Sequence, residues 1–301
     1  MLKKISVFLL IFLFIPFSSL SETVVTSFYP IWLLALNLTD GIPELLIRNL
    51  ASPETGCLHD YQLQTGDMKV LSEADLFLIN GAGMESYLAN VFSAFPDLVV
   101  AEAAEGIPLL TGSGALEIGA ESDEESEVNA HIWLDAGNAV VMAENLAQAM
   151  VNRFPDYRDR IQKNLENLTD RLSALDQELK TGLSGLAGKG IITFHEAFPY
   201  FAHAYGIEVL AVVNREPGEA LTPSQLARLA EVIISLGLPP LFVEPQYVDL
   251  SARTLAAETG AAVYTLDPVV TGPEKDVPLD YYETVMRQNM HTLQQALGGP
   301  V

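Results

Sequence analysis

Three of the five histidines in this 301-residue chain, together with one aspartate, lie where a predicted strand gives way to a loop or helix. They are His59, His131, His195 and Asp267. In open α/β sheets, ligands bind at the carboxyl ends of the strands, so the four residues occupy equivalent places. Imidazole and carboxylate groups are side chains that bind transition metals. Each position alone decides little, because an isolated histidine is more often part of the packed structure.

The elements that must position these residues are strands and helices that alternate on both sides of one helical segment. In the first half, strands are predicted at 23–27, 45–50, 76–80 and 98–101, and helices begin at Ile31, span 62–72 and follow Gly83. In the second half, strands are predicted at 190–193, 207–213, 240–243 and 262–266, and helices at 223–236, 251–259 and 281–297. Such alternation is typical of parallel βαβ units.

The segment between the two halves, residues 155–186, has the pattern of one long amphipathic helix. Its apolar residues recur at steps of three and four: Ile161, Leu165, Leu168, Leu172, Leu175 and Leu179. We therefore predict an α/β fold with two (β/α) lobes, each with a mainly parallel sheet, joined by one long rigid α-helix. The predicted lobes span 22–154 and 187–301.

The amino terminus predicts export. Lys3 and Lys4 precede an apolar run at 7–17, which small residues follow at 18–21. This run is shorter than the roughly 20 residues of a membrane span and is typical of a secretory signal peptide, here residues 1–21. No cysteine follows the run at the usual lipid-attachment position, so we expect a soluble periplasmic protein.

Composition excludes several classes of protein. The formal net charge of −23 argues against nucleic acid or an anionic membrane surface as the partner. The single cysteine, Cys57, excludes an intramolecular disulfide. Neither a GxGxxG nor a GxxxxGK[ST] motif occurs, which removes the main support for dinucleotide or nucleotide binding.

Several separated motifs occur in one order along the mature chain: 53–61, 72–85, 131–135, 193–206, 243–246 and 258–268. In content and order they resemble the zinc and manganese solute-binding proteins of ABC transporters. The resemblance covers essentially the whole mature length. It implies two lobes bridged by one helix, with the metal site buried between the lobes.

The resemblance also implies the metal ligands. His59 and His131 match the two ligands from the first lobe, His195 matches the third, and Asp267 matches the carboxylate from the second lobe. Three imidazoles and one carboxylate suit four-coordinate Zn²⁺. Manganese-binding members carry Glu where this chain has His195, which favours zinc, with Mn²⁺ as the alternative.

The chain departs from the family pattern at three places. Ala136 stands where the family usually has proline, which we expect to alter only a helix start. The acidic segment 122–128 replaces a histidine-rich loop, which puts loop-mediated zinc capture in doubt. Cys57 is unusual; between a soft ligand and a buried apolar thiol, we favour the buried thiol.

We therefore predict a monomeric periplasmic binding protein that captures Zn²⁺ and delivers it to the membrane permease of an ABC importer, with no enzymatic activity. One alternative is an Mn²⁺- or Fe²⁺-binding component of the same fold. The other is a secreted zinc hydrolase, although the sequence from His195 to Pro199 is not HExxH. We expect His203 to be packed on a helix and His291 to lie at the surface. Glu244 is either an orienting or a structural residue.

Overall fold

A computed structural model describes residues 21–58, 61–111, 115–117, 128–213, 221–247 and 250–298. The predicted signal peptide apart from Ser21, the acidic segment apart from Val128, and His59 all lie outside the described residues. No helix within the described ranges is long and apolar enough to cross a membrane.

The first lobe contains a four-stranded sheet in which every strand pairing is parallel. Its strands are β1 (Glu22–Thr26), β2 (Leu45–Asn49), β3 (Leu76–Ile79) and β4 (Val100–Glu102), in the order β2-β1-β3-β4. Its helices are α1 (Tyr29–Leu38), α2 (Thr65–Ser72) and α3 (Leu88–Ala94). All four residues of β3 are buried, as expected for a strand covered on both faces.

The second lobe contains a five-stranded parallel sheet in the order β5-β7-β6-β8-β9. Its strands are β5 (Leu116–Glu117), β6 (Gly190–Thr193), β7 (Glu208–Val212), β8 (Leu241–Val243) and β9 (Val263–Thr265). Its helices are α6 (Pro199–Tyr205), α7 (Pro223–Ser235) and α8 (Leu250–Thr259). The fold is thus the predicted α/β architecture of two mainly parallel sheets.

Three further helices complete the described structure: α4 (Ala136–Arg153), α5 (Arg158–Leu183) and α9 (Tyr281–Leu297). The long helix α5 confirms the predicted connection, and it packs against α1, α4, α6 and α9. Its Arg171 donates to Asn37 of α1 and to Glu283 of α9. The connecting helix therefore holds helices from both ends of the chain together.

Helix α4 begins at Ala136 because the Asp135 carboxylate accepts a hydrogen bond from the Gly137 backbone N–H at 2.7 Å. The Asp135 side chain thereby accepts from one of the backbone N–H groups that have no acceptor within the helix at every helix start. The helix thus starts with alanine in the place where the family usually has proline.

The described residues form two hydrophobic clusters. The larger cluster packs the first sheet with α1, α4, α5 and α9, and the smaller lies between the second sheet and helices α7 and α8. The predicted lobe boundaries stay a prediction. Strand β5, however, precedes α5 in the chain and nonetheless pairs with β7 of the second sheet.

Candidate metal centre

His195 and Glu244 meet because their strands are neighbours. His195 lies two residues beyond the end of β6, and Glu244 directly follows β8, which pairs with β6 in parallel. The His195 Nδ1–H donates to Glu244 Oε1 at 2.6 Å, and the two side chains are only 2% and 4% exposed. Gln246 Nε2 donates to the other carboxylate oxygen at 2.5 Å. A carboxylate that accepts from Nδ1 leaves the Nε2 lone pair of an imidazole for a metal ion.

His131 is oriented by a neighbouring amide. It directly precedes the short 3₁₀ helix Ile132–Leu134 and is 2% exposed. Asn129 Oδ1 accepts from the His131 backbone N–H at 3.0 Å and from its Nδ1–H at 3.2 Å. The Asn129 amide in turn donates to the Glu196 carbonyl at 2.7 Å. Asn129 therefore fixes the His131 ring and ties it to the residue next to His195.

Three donor side chains converge at this point. The rings of His131 and His195 lie 4.9 Å apart between centroids and cross at 79°. Cys57 Sγ lies 3.4 Å from His131 Nε2. One donor atom from each of these three residues lies within 4.8 Å of the other two. The expectation that Cys57 is a buried apolar thiol is wrong, because the residue is only half-buried and its sulfur faces an imidazole.

Asp267 lies beyond the end of β9 and is held from two sides. Its Oδ1 accepts from the Val269 N–H at 2.8 Å, and Asn289 of α9 bonds both its backbone N–H and its carbonyl. Burial raises its pKa from 3.8 to about 6, the Val269 N–H lowers it, and the negative charge of Glu244 raises it further. Among the described residues, Asp267 is not part of the three-donor group. The ligand roles of Asp267 and of His59 therefore stay predictions.

Trp133 connects the two lobes beside this group. Its ring lies 5.1 Å from the His131 ring and 5.1 Å from the Phe28 ring between centroids. Its Nε1–H donates to the Pro268 carbonyl at 2.7 Å, and its own carbonyl accepts from Tyr282 Oη at 2.6 Å. Trp133 therefore forms one apolar wall of the site.

The other two described histidines, His203 and His291, are not part of the three-donor group. His291 is exposed on α9, as predicted. His203 lies on α6 but is exposed rather than packed, so that prediction is wrong. Sequence reasoning left the role of Glu244 open and missed Asn129. The sequence feature that could have identified Asn129 is its position as an amide side chain two residues before the candidate ligand His131.

A family model described as the periplasmic zinc-uptake complex component A, ZnuA, matches residues 24–296. The chain belongs to the ZnuA family. The zinc-binding protein AdcA of Streptococcus pyogenes serotype M3 is 26% identical over 289 residues, which cover 90% of this chain and 55% of that protein. The chain thus spans about half the length of the AdcA relatives it matches. ScbA of Streptococcus cristatus, a metal ABC transporter substrate-binding lipoprotein, is 27% identical over 79% of this chain and 78% of its own.

Solved structures show the same fold as this ZnuA family member. FpvC of Pseudomonas aeruginosa in complex with Mn²⁺ has a TM-score of 0.80 at 22% identity, over 92% of this chain and 99% of that chain. Zn(II)-bound AdcA of Streptococcus pneumoniae has a TM-score of 0.78 at 23% identity, over 93% of this chain and 59% of that chain. The likeness establishes the two-lobed fold that surrounds the three-donor group.

Proposed function

We propose that this chain is a periplasmic solute-binding protein that captures Zn²⁺ and delivers it to the permease of an ABC importer. The observation that carries the proposal is the convergence of His131 and His195, each 2% exposed, from the two halves of the chain. Membership of the ZnuA family supports it. The ion is the cargo of the protein, so no covalent step is required.

The proposed ligands are His59, His131, His195 and Asp267. Both described imidazoles have an acceptor at Nδ1, namely Asn129 for His131 and Glu244 for His195. This arrangement selects the tautomer whose Nε2 lone pair can bind a metal and restricts rotation of the ring. Imidazole donors suit zinc better than manganese, which prefers carboxylates, carbonyls and water.

The charges around the site favour a cation. Burial is the main cause of the raised pKa of Asp267, and the negative charge of Glu244 raises that pKa further, so the two carboxylates repel each other in the metal-free protein. A bound dication offsets this repulsion and accepts electron density from the imidazoles. Because the histidines are almost fully buried, these interactions are screened less than they would be at the surface.

The test of the capture step is a competition titration of metal-free protein with Zn²⁺ and Mn²⁺ against a chromophoric chelator. We expect one Zn²⁺ per chain and weaker binding of Mn²⁺. The zinc affinity should fall as the pH drops through about 6.5, because imidazole must lose its proton to bind. Tighter binding of Mn²⁺, or an affinity that is constant from pH 8 to pH 5, would contradict the assignment.

The test of the delivery step uses the importer reconstituted in lipid vesicles. Zinc-loaded protein should stimulate ATP hydrolysis by the importer more strongly than metal-free protein does. Equal stimulation by the two forms would contradict a role in zinc delivery.

A further inference from the structure

Cys57 has a position that the proposed ligand set does not explain. Its Sγ lies 3.4 Å from His131 Nε2, across 74 residues of sequence. One donor nitrogen of His195, one of His131 and the sulfur all lie within 4.8 Å of one another. A thiol that merely donated a hydrogen bond to one imidazole would not require a second buried imidazole at the same point.

The observed spacing agrees with that of a zinc site. With Zn–S of about 2.3 Å and Zn–N of about 2.0–2.1 Å, tetrahedral geometry places sulfur and nitrogen ligands about 3.6 Å apart. The Cys57–His131 separation of 3.4 Å is within about 0.2 Å of that value. The three donors therefore need little rearrangement to bind one ion.

We propose that Cys57 is a direct ligand of the bound metal and that its thiolate makes the site selective for Zn²⁺ over Mn²⁺. This inference rests on the proposed zinc-binding function and changes its ligand set. Four-coordinate zinc leaves room for Cys57, His131, His195 and one more donor. If His59 is that donor, Cys57 takes the coordination position that Asp267 has in the proposed ligand set. Cys57 is favoured because it belongs to the converging group and Asp267, among the described residues, does not.

The chemistry of sulfur gives the consequence for selectivity. Soft thiolate ligands favour zinc, whereas manganese favours oxygen ligands. On binding, the Sγ–H bond breaks, a sulfur–zinc bond forms, and the proton passes to the buffer; no oxidant or reductant is involved. The Cys57 ligand therefore supplies a preference for zinc in addition to that of His195.

Cobalt is the first probe, because a thiolate bound to Co²⁺ gives an intense charge-transfer absorption in the near ultraviolet. The chain contains one cysteine, so such a band can come only from Cys57. Metal-free protein loaded with Co²⁺ should show the band. The Cys57→Ser variant should lack it, and so should wild-type protein whose thiol has been alkylated before loading.

Competition titrations then measure selectivity. Cys57→Ser should weaken Zn²⁺ binding by about 100-fold or more, since even groups that only orient zinc ligands are worth about 10–100-fold. Mn²⁺ binding should change by less than about tenfold, because manganese gains little from sulfur. Glu54→Gln, which changes an exposed residue three positions away, is the matched control and should bind both metals like the wild type.

The outcomes separate this inference from the proposed function. Tight Zn²⁺ binding by the wild type, with no charge-transfer band and unchanged affinity in Cys57→Ser, would overturn the Cys57 ligand and leave zinc capture standing. Failure of the wild type to bind Zn²⁺ would overturn both. The cobalt spectrum of the wild type needs no variant, so a folding defect in Cys57→Ser cannot obscure the result.

Discussion

Replacement of Glu244 by glutamine removes one negative charge next to His195 while keeping an oxygen that can accept from Nδ1. In the native protein this contact is 2.6 Å long, and both side chains are at least 96% buried. Partners of this kind are worth about 10–100-fold in metal affinity. The corresponding loss of binding free energy is about 1.4–2.7 kcal/mol. Because water cannot substitute for the carboxylate at this depth, we expect a loss in the upper half of that range.

The assay is competition of metal-free Glu244→Gln with a zinc chelator of known affinity. Glu258→Gln is the matched control, since it removes the same charge from an exposed position on α8. Thermal unfolding of both metal-free variants shows whether the fold is retained. Equal zinc affinity in Glu244→Gln and Glu258→Gln, with both proteins folded, would refute the claim that Glu244 orients and polarises His195.

Three other predictions follow from the described contacts. His195→Ala should weaken zinc binding by at least about 100-fold. His291→Ala should leave zinc binding unchanged because His291 is exposed on α9. Equal losses of zinc affinity in the two variants would contradict the assignment of His195 to the site. Trp133→Phe removes the 2.7 Å bond to the Pro268 carbonyl and should lower the unfolding free energy in urea by about 1–3 kcal/mol, because that carbonyl loses its donor; a change below about 0.5 kcal/mol would contradict this. Burial raises the pKa of Glu85 from 4.5 to about 7, so the folded state holds a proton that the unfolded state has released. Glu85 should therefore contribute a fall of about 3 kcal/mol in the unfolding free energy as pH rises from about 4.5 to above 7. Glu85→Gln should make the pH dependence shallower by about that amount; an equal slope in the variant would count against it.

The elements with strong periodicity were predictable from the sequence. Helix α9 was predicted at 281–297 and occupies Tyr281–Leu297. Helix α5 was predicted from leucines at steps of three and four, and its buried face includes Leu168, Leu172 and Leu175. These helices bury large side chains on one face, so the pattern of those side chains reports the structure directly.

A helix start was expected at Ala136, but the extent of helix α4 between His131 and α5 was not predicted. Its buried face consists largely of alanine and methionine, so the difference in hydrophobicity between the buried and the exposed face is small. The capping residue Asp135 was the available signal. Strand β5 was missed for another reason: a two-residue strand has no detectable alternation, and only its pairing with β7 defines it.

The sequence by itself determined the α/β class, the connecting helix and the positions of His195 and Asp267 just beyond strand ends. The same expectation was wrong for His131, which directly follows no described strand and instead precedes a short 3₁₀ helix. These features depend on local periodicity and on residue type, which a single sequence records. The tertiary structure decided that Glu244 and Asn129 orient the two histidines, and that Cys57 rather than Asp267 joins them within 4.8 Å. Asn129 is two residues from His131, but the other contacts are long-range: Glu244 is 49 positions from His195, and Cys57 is 74 positions from His131. They depend on how neighbouring strands and the two lobes pack, and the spacing of residues along the chain does not specify that packing.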